Sequence, residues 1–401
     1  MYQFIDNGTV TTVQGFKAAG IFCGIKRKKK DLALIYSEVP CSAAGTFTIN
    51  KVKAAPLLIS KKVIQNKKPV KAVLVNSGNA NACTGKEGEQ DAKTSQKYLA
   101  QKLGILPSEV LVSSTGVIGK RLPMDTLLSG IDKIVPKLSE EGGHDAAEAI
   151  MTTDKAMKSF AVKVCLGTKE IMIGAICKGS GMIMPNMATM LGFITTDVKA
   201  EPEVLQKLLK EAVQNSFNKI SVDGETSTND MVTIMANGLS GKKLTEGTKD
   251  YKQFLQALEE LCKKMAKAIV ADGEGATKLV TINVKGAKTQ KDADLVGKAI
   301  ANSALVKTAI YGQDANWGRI MSAAGMSGAS INPALVSISF NDLPVVMPDY
   351  KIVLDEEKAL EILSLKEFEI NIDLRSGKKS STWWTCDFTE EYIKINADYR
   401  T

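Results

Sequence analysis

The sequence predicts an α/β protein of the layered (α+β) kind, an α/β sandwich in which helices cover mixed and antiparallel sheets. Short runs that alternate apolar and polar residues indicate strands, and longer stretches with apolar residues every three to four positions indicate helices. The 401 residues are 44% hydrophobic, which is enough for a large core in two or three domains or in one fused domain.

Alternating runs predict half-buried, antiparallel strands at 280–284, 336–340, 368–374 and 392–395. Two further apolar runs within 171–197 predict a buried hairpin joined across Pro185 and Asn186, with four methionines filling gaps in the core. Helical spacing is found at 254–269 and at 204–212, where Pro202 suits the first turn, and a third helix is predicted over 293–310.

The net charge is +8, and one basic run at 26–30 can account for much of this excess. This run lies between apolar segments without interleaved aromatic residues, which favours a solvated hairpin tip over a nucleic-acid surface. No stretch approaches the ~18–20 apolar residues of a membrane span, and the N-terminus lacks the pattern of a signal peptide. We therefore expect a cytoplasmic protein without nucleic-acid or membrane partners.

The seven cysteines are scattered and never paired as C-x-x-C, which predicts reduced, mostly buried thiols. The single histidine, His144, excludes a histidine-rich metal site and limits any histidine-based triad to this one residue. Its place before an apparent helix predicts a helix cap or an exposed side chain. We expect no metal, and a catalytic base other than histidine.

A threonine could act as a nucleophile here if it were the first residue of a chain. Its hydroxyl is too weakly acidic to attack unaided, and an α-amino group, with a pKa of roughly 7.7–8.0, is the nearest base when histidine is absent. Cleavage between Ala188 and Thr189 would place both groups on Thr189. The dipeptide alone is common, so a plain core hairpin remains the alternative.

The longer segment from Lys178 to Leu191 resembles the self-processing segment of the ornithine acetyltransferase family, the glutamate N-acetyltransferases of arginine biosynthesis. The resemblance extends along the chain and involves segments 15–20, 31–34, 50–56, 75–81, 114–119, 151–154, 223–230, 272–278 and 395–401. It implies a layered α/β fold in which chains 1–188 and 189–401 share one intertwined core and assemble into α2β2 units.

The resemblance also implies the site. Thr189 is the nucleophile, Ala188 and Thr189 flank the cleaved bond, and Thr115 and Gly116 form the oxyanion hole. The implied substrate contacts are Thr152, Lys178, Thr189, Glu274, Asn396 and Thr401, with Thr153 as the neighbouring candidate for Thr152. Without the resemblance, the local sequence at 115–116 would predict a turn that ends a strand. Lys178 and Glu274 would be interpreted as surface charges in glycine-rich loops.

The implied reaction is a ping-pong transfer of an acetyl group from N2-acetylornithine to glutamate through an acetyl-threonine ester. No cofactor is implied, although some family members also accept acetyl-coenzyme A as donor. A related self-cleaving aminopeptidase, with water as acceptor, remains the enzymatic alternative. A non-catalytic binding protein would instead remain a single chain of 43.1 kDa.

Overall fold

The fold is described from a computed structural model, in which residues 2–184 and 190–397 are described. In these ranges the strands are β1 (Tyr2–Ile5), β2 (Phe16–Ile21), β3 (Leu32–Phe47), β4 (Val70–Asn79), β5 (Val110–Val117), β6 (Lys158–Leu166), β7 (Lys169–Lys178), β8 (Leu191–Thr196), β9 (Ile220–Ser221), β10 (Met231–Ala236), β11 (Leu279–Ala287), β12 (Ser337–Phe340), β13 (Leu343–Met347), β14 (Lys351–Ile352), β15 (Glu367–Asp373) and β16 (Lys379–Cys386).

The helices of the same ranges are α1 (Ala55–Gln65), α2 (Gly85–Leu103), α3 (Met124–Ile134), α4 (Gly143–Ala149), α5 (Pro202–Gln214), α6 (Lys249–Ala271), α7 (Gln290–Asn302), α8 (Ala304–Tyr311), α9 (Trp317–Gly325), α10 (Glu356–Ser364) and α11 (Glu390–Ala397). The chain forms two compact units. The first comprises Met1–Asn218 and Glu225–Ala266, and the second comprises Lys219–Gly224 and Lys267–Thr401.

The first unit contains a mixed sheet whose order is β1-β6-β7-β8-β10-β3-β4-β5, with β2 also paired to β3. β8 and β10 are parallel, as are β4 and β5, whereas the other pairs of this sheet are antiparallel. All six residues of β8 are buried, which fits a strand covered on both faces. Helix α4 packs on β2, α5 on β3 and α1 on β5.

Strands from both sides of position 188 build this sheet, and the later ones lie in its interior. β8 and β10, which follow that position, lie between β7 and β3, which precede it. β7 and β8 pair antiparallel, from Lys178 opposite Leu191 to Ile173 opposite Thr196. The two strands predicted within 171–197 are thus present and paired. Their predicted junction at Pro185 and Asn186 lies outside the described residues.

The second unit contains a mixed sheet with the order β14-β13-β12-β15-β11-β16-β9. Helix α7 packs on β11 and β16, where Val296 and Ile300 enter a core with Ile282 and Trp383. The predicted class, α/β with mixed sheets covered by helices, is confirmed in both units.

Some details of the predicted elements are wrong. The helix predicted over 293–310 is two helices, because Ser303 ends α7 and its side chain accepts a hydrogen bond from Val306 N at the start of α8. The strand predicted at 392–395 is part of α11, whose first turn carries Glu390 and Glu391, residues that favour a helix N-terminus. Four alternating residues are too few to distinguish the two-residue period of a strand from the 3.6-residue period of a helix.

The strands were predicted to be antiparallel and half-buried, and this is wrong in two respects at β11. β11 and β15 run parallel, and β11 is mostly buried. His144 lies in the first turn of α4, whose N-cap position is held by Gly142 without a side-chain cap. Its ring is half-buried, and its Nδ1 has no hydrogen-bond partner among the described residues. His144 is therefore neither a cap nor an exposed side chain.

Candidate functional site

Thr115 and Gly116 lie near the end of β5, where it runs parallel to β4. The φ angle of Gly116 is 134°, in the region that favours glycine. A Cβ on Gly116 would lie 2.3 Å from the carbonyl carbon of Gly78 and 2.5 Å from the nitrogen of Asn79. The close approach of the two strands therefore requires a glycine here, in addition to any chemical role. The turn suggested by the local sequence is an irregular strand pairing instead.

Lys178 is the last residue of β7, and its ammonium group reaches Thr115. The Nζ atom of Lys178 donates to Oγ1 of Thr115 over 3.3 Å, and both residues are only 8% exposed. Lys178 is thus buried rather than the surface charge that its glycine-rich loop suggested. The hydroxyl of Thr115 and the ammonium of Lys178 come from segments that are distant in sequence, and the structure brings these two implied site residues into contact.

Asp154 joins the loop that carries Thr152 to the end of β7. Its Oδ2 accepts the backbone N–H of Thr152 at 3.0 Å, and its Oδ1 accepts the N–H of Gly179 at 2.9 Å and Nζ of Lys158 at 2.7 Å. Burial disfavours the charged form, but the charges of Lys178 and Lys158 outweigh it and hold the pKa of Asp154 well below its usual range. The carboxylate is therefore ionised and fixes both loops.

Lys26 belongs to the basic run between β2 and β3, and it is not a solvated residue at a hairpin tip. Its Nζ donates to the carbonyl of Met151 at 2.6 Å and to that of Lys30 at 2.8 Å. Asp31 shapes this loop by accepting the backbone N–H groups of Cys23, Gly24 and Lys26. Burial lowers the pKa of Lys26 to about 8 and outweighs the charges of Asp31 and Asp154, which raise it. The charges of Lys29 and Lys178 add to the lowering.

Residues 225–230 support the segment that leads towards position 185. Thr226 pairs with Ile183 in an isolated bridge, and its Oγ1 donates to the carbonyl of Met184 at 3.0 Å. Nδ2 of Asn229 donates to the carbonyls of Ala80 and Ser114 at 2.7 and 2.8 Å. The loop thus ties residues 183–184, which precede the predicted cleavage point, to the strand ends that carry Thr115.

In the second unit, the predicted contacts Glu274 and Asn396 are joined by a hydrogen bond. Nδ2 of Asn396, in α11, donates to Oε2 of Glu274 at 2.9 Å, and Glu274 is 5% exposed. At Gly275, with φ of 72°, a Cβ would lie 2.5 Å from the nitrogen of Tyr392. This close packing seats the loop of Glu274 against α11, so the carboxylate is buried and oriented rather than a surface charge.

Ala188, Thr189 and Thr401 lie outside the described residues, so their predicted roles stay predictions. No three His, Cys, Asp or Glu side chains within 2–184 and 190–397 are grouped so that they could hold a metal ion. In the same ranges, no helix combines the length and apolar character needed to cross a membrane. Four of the seven cysteines are buried, as predicted for most of them, whereas Cys83 and Cys165 are exposed. The buried ones are Cys41, Cys177, Cys262 and Cys386.

Sequence reasoning missed Lys26, Asp154, Thr226 and Asn229. Asp154 lies in the segment 151–154 and the last two in 223–230, both of which were noted for their resemblance, but nothing in them marked the side chain that does the bonding. Lys26 carries no such signal, because its Nζ donates to backbone carbonyls and the sequence does not show which carbonyls come near it.

Ionised and polar groups collected at strand ends and in the loops beyond them are typical of an enzyme that binds small polar molecules. The ArgJ family matches residues 17–401. The arginine biosynthesis bifunctional protein ArgJ of Caldanaerobacter subterraneus subsp. tengcongensis is 48% identical, with 99% of this chain and 100% of the relative covered. The protein of the same name from Symbiobacterium thermophilum is also 48% identical, with 98% and 99% covered.

Solved structures are similar as well. The ornithine acetyltransferase of Mycobacterium tuberculosis, solved in complex with ornithine, is 40% identical and covers 46% of this chain and 99% of that chain, with a TM-score of 0.44. On the family match and the whole-length relatives, the chain belongs to the ArgJ family and is an enzyme of that family.

Proposed function

We propose that this chain cleaves itself between Ala188 and Thr189 and then transfers acetyl groups from N2-acetylornithine to glutamate, in arginine biosynthesis. The observation that carries the proposal is the 48% identity, over 99% of the chain, to a relative named arginine biosynthesis bifunctional protein. The paired strands β7 and β8 support it, because they hold both sides of the segment that must be cut.

Cleavage begins when Oγ1 of Thr189 attacks the carbonyl carbon of Ala188. The peptide C–N bond breaks as the acyl group moves from nitrogen to oxygen, and water then hydrolyses the ester. The products are a carboxylate on Ala188 and a free α-amine on Thr189. This amine provides the base that a weakly acidic hydroxyl needs.

Acetyl transfer then follows in two halves. The α-amine of Thr189 takes the hydroxyl proton while Oγ1 attacks the acetyl carbon of N2-acetylornithine, and the C–N bond breaks as the proton passes to the leaving ornithine nitrogen. The α-amine of glutamate attacks the acetyl-threonine ester, and its proton returns to Oγ1 through the same base. Each half passes through a tetrahedral oxyanion.

The described residues suit the charges of this cycle. Thr115 and the backbone N–H of Gly116 are the proposed donors to the oxyanion, and Lys178, bonded to Thr115, supplies positive charge beside it. The buried ammonium of Lys178 also suits a substrate carboxylate, and the buried Glu274 suits the ornithine ammonium. Thr152 and Asn396 complete the proposed contacts.

We also propose acetyl-coenzyme A as a second donor, because the relatives are named bifunctional. Oγ1 of Thr189 would attack the thioester carbon, and coenzyme A thiolate would leave as the acetyl-threonine ester forms. No resident cofactor is needed for this step. Glutamate and acetyl-coenzyme A incubated with the cleaved enzyme should release one free thiol for each acetylglutamate formed. Acetylglutamate formed only from N2-acetylornithine would limit the chain to one donor.

Intact-mass measurement of the purified protein tests the main proposal. The wild type should give two fragments under denaturing conditions, the second starting at Thr189, and this fragment should gain one acetyl group with N2-acetylornithine. Thr189→Ala should remain a single uncleaved chain that gains nothing. A wild type that stays at 43.1 kDa and takes up no acetyl group would overturn the proposal. Free acetate without acetylglutamate would favour the hydrolase.

Assembly into α2β2 units and a cytoplasmic location belong to the same proposal. Mass measurement under native conditions gives the number of fragments per particle, and two copies of each are expected.

A further inference from the structure

We propose that Lys26 and Asp154 are positioning residues that together hold the Met151–Thr152 peptide group, and so place Thr152 in the substrate site. The proposal rests on the proposed function for the role of Thr152. The contacts that carry it do not depend on that function.

Both polar atoms of this single peptide group are bound by side chains of opposite charge. Its carbonyl oxygen, on Met151, accepts from Nζ of Lys26 at 2.6 Å, and its N–H, on Thr152, donates to Oδ2 of Asp154 at 3.0 Å. Hydrogen bonds with an ionised partner are about twice as strong as neutral ones. The orientation of the peptide plane is thus determined from both sides.

The two side chains are themselves immobilised. Asp154 is 2% exposed and bonded to Lys158, which is 1% exposed. Lys26 makes its second bond to the carbonyl of Lys30, and its own N–H is held by Asp31. A peptide group held by fixed partners cannot rotate without breaking at least one charged hydrogen bond.

Asp154 also sets Thr152 relative to Lys178. The oxygen that accepts from Lys158 also accepts from the N–H of Gly179, the residue after Lys178. One carboxylate therefore joins the loop of Thr152 to the strand end whose lysine bonds Thr115. Burying an ion pair is a poor way to gain stability compared with apolar packing, which points to orientation as the reason for this arrangement.

The test compares Lys26→Met with Lys30→Met, a control in the same loop whose side chain pairs with Asp145 and Glu148 at the surface instead. Hydrogen exchange is measured at the amide of Thr152, and steady-state kinetics are measured with N2-acetylornithine. Lys26→Met should speed the exchange and lower kcat/KM by about tenfold, mainly by raising KM, because Thr152 is a proposed substrate contact. This loss is smaller than the ~10²-fold loss of rate that a misplacement of about 1 Å can cause. Lys30→Met should change neither.

A double-mutant cycle separates positioning from general loss of structure. Thr152→Ala should lower kcat/KM, and adding Lys26→Met to it should lower kcat/KM little further, because the group being positioned is already gone. Lys26→Arg should restore part of the kcat/KM lost in Lys26→Met. Additive losses in the cycle, or unchanged exchange at Thr152 in Lys26→Met, would overturn the proposal.

The Asp154 side of the arrangement needs a variant that does not leave Lys158 without the carboxylate to which it is bonded. The pair Asp154→Asn with Lys158→Met removes both charges together, and it should speed exchange at Thr152 and at Gly179. If the wild type transfers no acetyl group, the proposed function fails, but the exchange measurements still decide whether the peptide group is held.

Discussion

The hydroxyl of Thr115 accepts a hydrogen bond from the ammonium group of Lys178, and it is also a proposed donor to the oxyanion. A hydroxyl can do both, since it has one proton and two lone pairs. Lys178 thereby polarises the group that is meant to stabilise the oxyanion. The effect is strongest in a buried site such as this one.

Thr115→Val, which keeps the shape but removes the hydroxyl, should reduce kcat for acetyl transfer by about 10²–10³ in cleaved enzyme. It should also lower the free energy of unfolding by about 1–3 kcal/mol, because a donor of the buried Lys178 loses its acceptor. Thr115→Ser keeps the hydroxyl and is the matched control. A Thr115→Val enzyme with wild-type kcat would remove Thr115 from the oxyanion site.

Lys26 predicts a pH dependence of stability. The folded chain releases its proton near pH 8 and the unfolded chain near the ordinary value of 10.5, so raising the pH between these values favours the folded state. Urea unfolding of the wild type between pH 8 and 10 should therefore give a free energy that rises relative to that of Lys26→Met. Lys30→Met should follow the wild type. A constant difference between wild type and Lys26→Met would contradict the lowered pKa.

The residues of the site were only partly predictable from sequence. Thr115 and Lys178 stand in segments with a specific pattern, and the structure brings them together. Lys26 and Met151 are 125 positions apart, and their contact depends on how a hairpin loop folds back, which no local pattern encodes. The basic run does form the loop between the antiparallel strands β2 and β3, and residues 27–29 are exposed as predicted. Only Lys26 departs from the prediction, since composition describes a charge but not its partner.

At the scale of elements, the junction of β4 and β5 depends on a glycine. Gly116→Ala would place a methyl group against the backbone of Gly78, so we expect a loss of stability above the roughly 1–2 kcal/mol that a left-handed conformation costs a residue with a Cβ. Gly119→Ala is the control, because Gly119 also has a positive φ, of 81°, but has no atom within 4 Å of the added Cβ. Thermal unfolding of both variants measures the difference, and equal melting temperatures would contradict the close approach.

Element types were predictable where the pattern was long. The apolar spacing of α5 and α6 and the alternation in β11 and β15 gave the right types. The break at Ser303 and the identity of α11 depended on caps and end charges that compete with a short pattern. Whether β11 and β15 pair parallel depends on the connection between them, which alternation does not reveal.

At the scale of the whole molecule, the order of strands predicts how the two fragments behave. Residues 190–397 contribute two neighbouring strands, β8 and β10, to the interior of a sheet otherwise built before position 188. Fragment 1–188 expressed alone should therefore fail to fold, whereas co-expression with 189–401 should restore a single particle. Circular dichroism and size-exclusion chromatography check both. A separately folded first fragment would show that its strands close without β8 and β10.

The interior position of β8 and β10 also has a kinetic consequence. Removing one fragment from a folded particle means breaking the ladders that join β7 to β8 and β10 to β3, so no partial opening at an edge of the sheet releases it. Swapping of fragments between particles should then be as slow as global unfolding. Isotope-labelled and unlabelled enzyme, cleaved as proposed and then mixed under native conditions, should give no labelled fragment paired with an unlabelled one. Each cleaved molecule would then keep the fragment with which it was made.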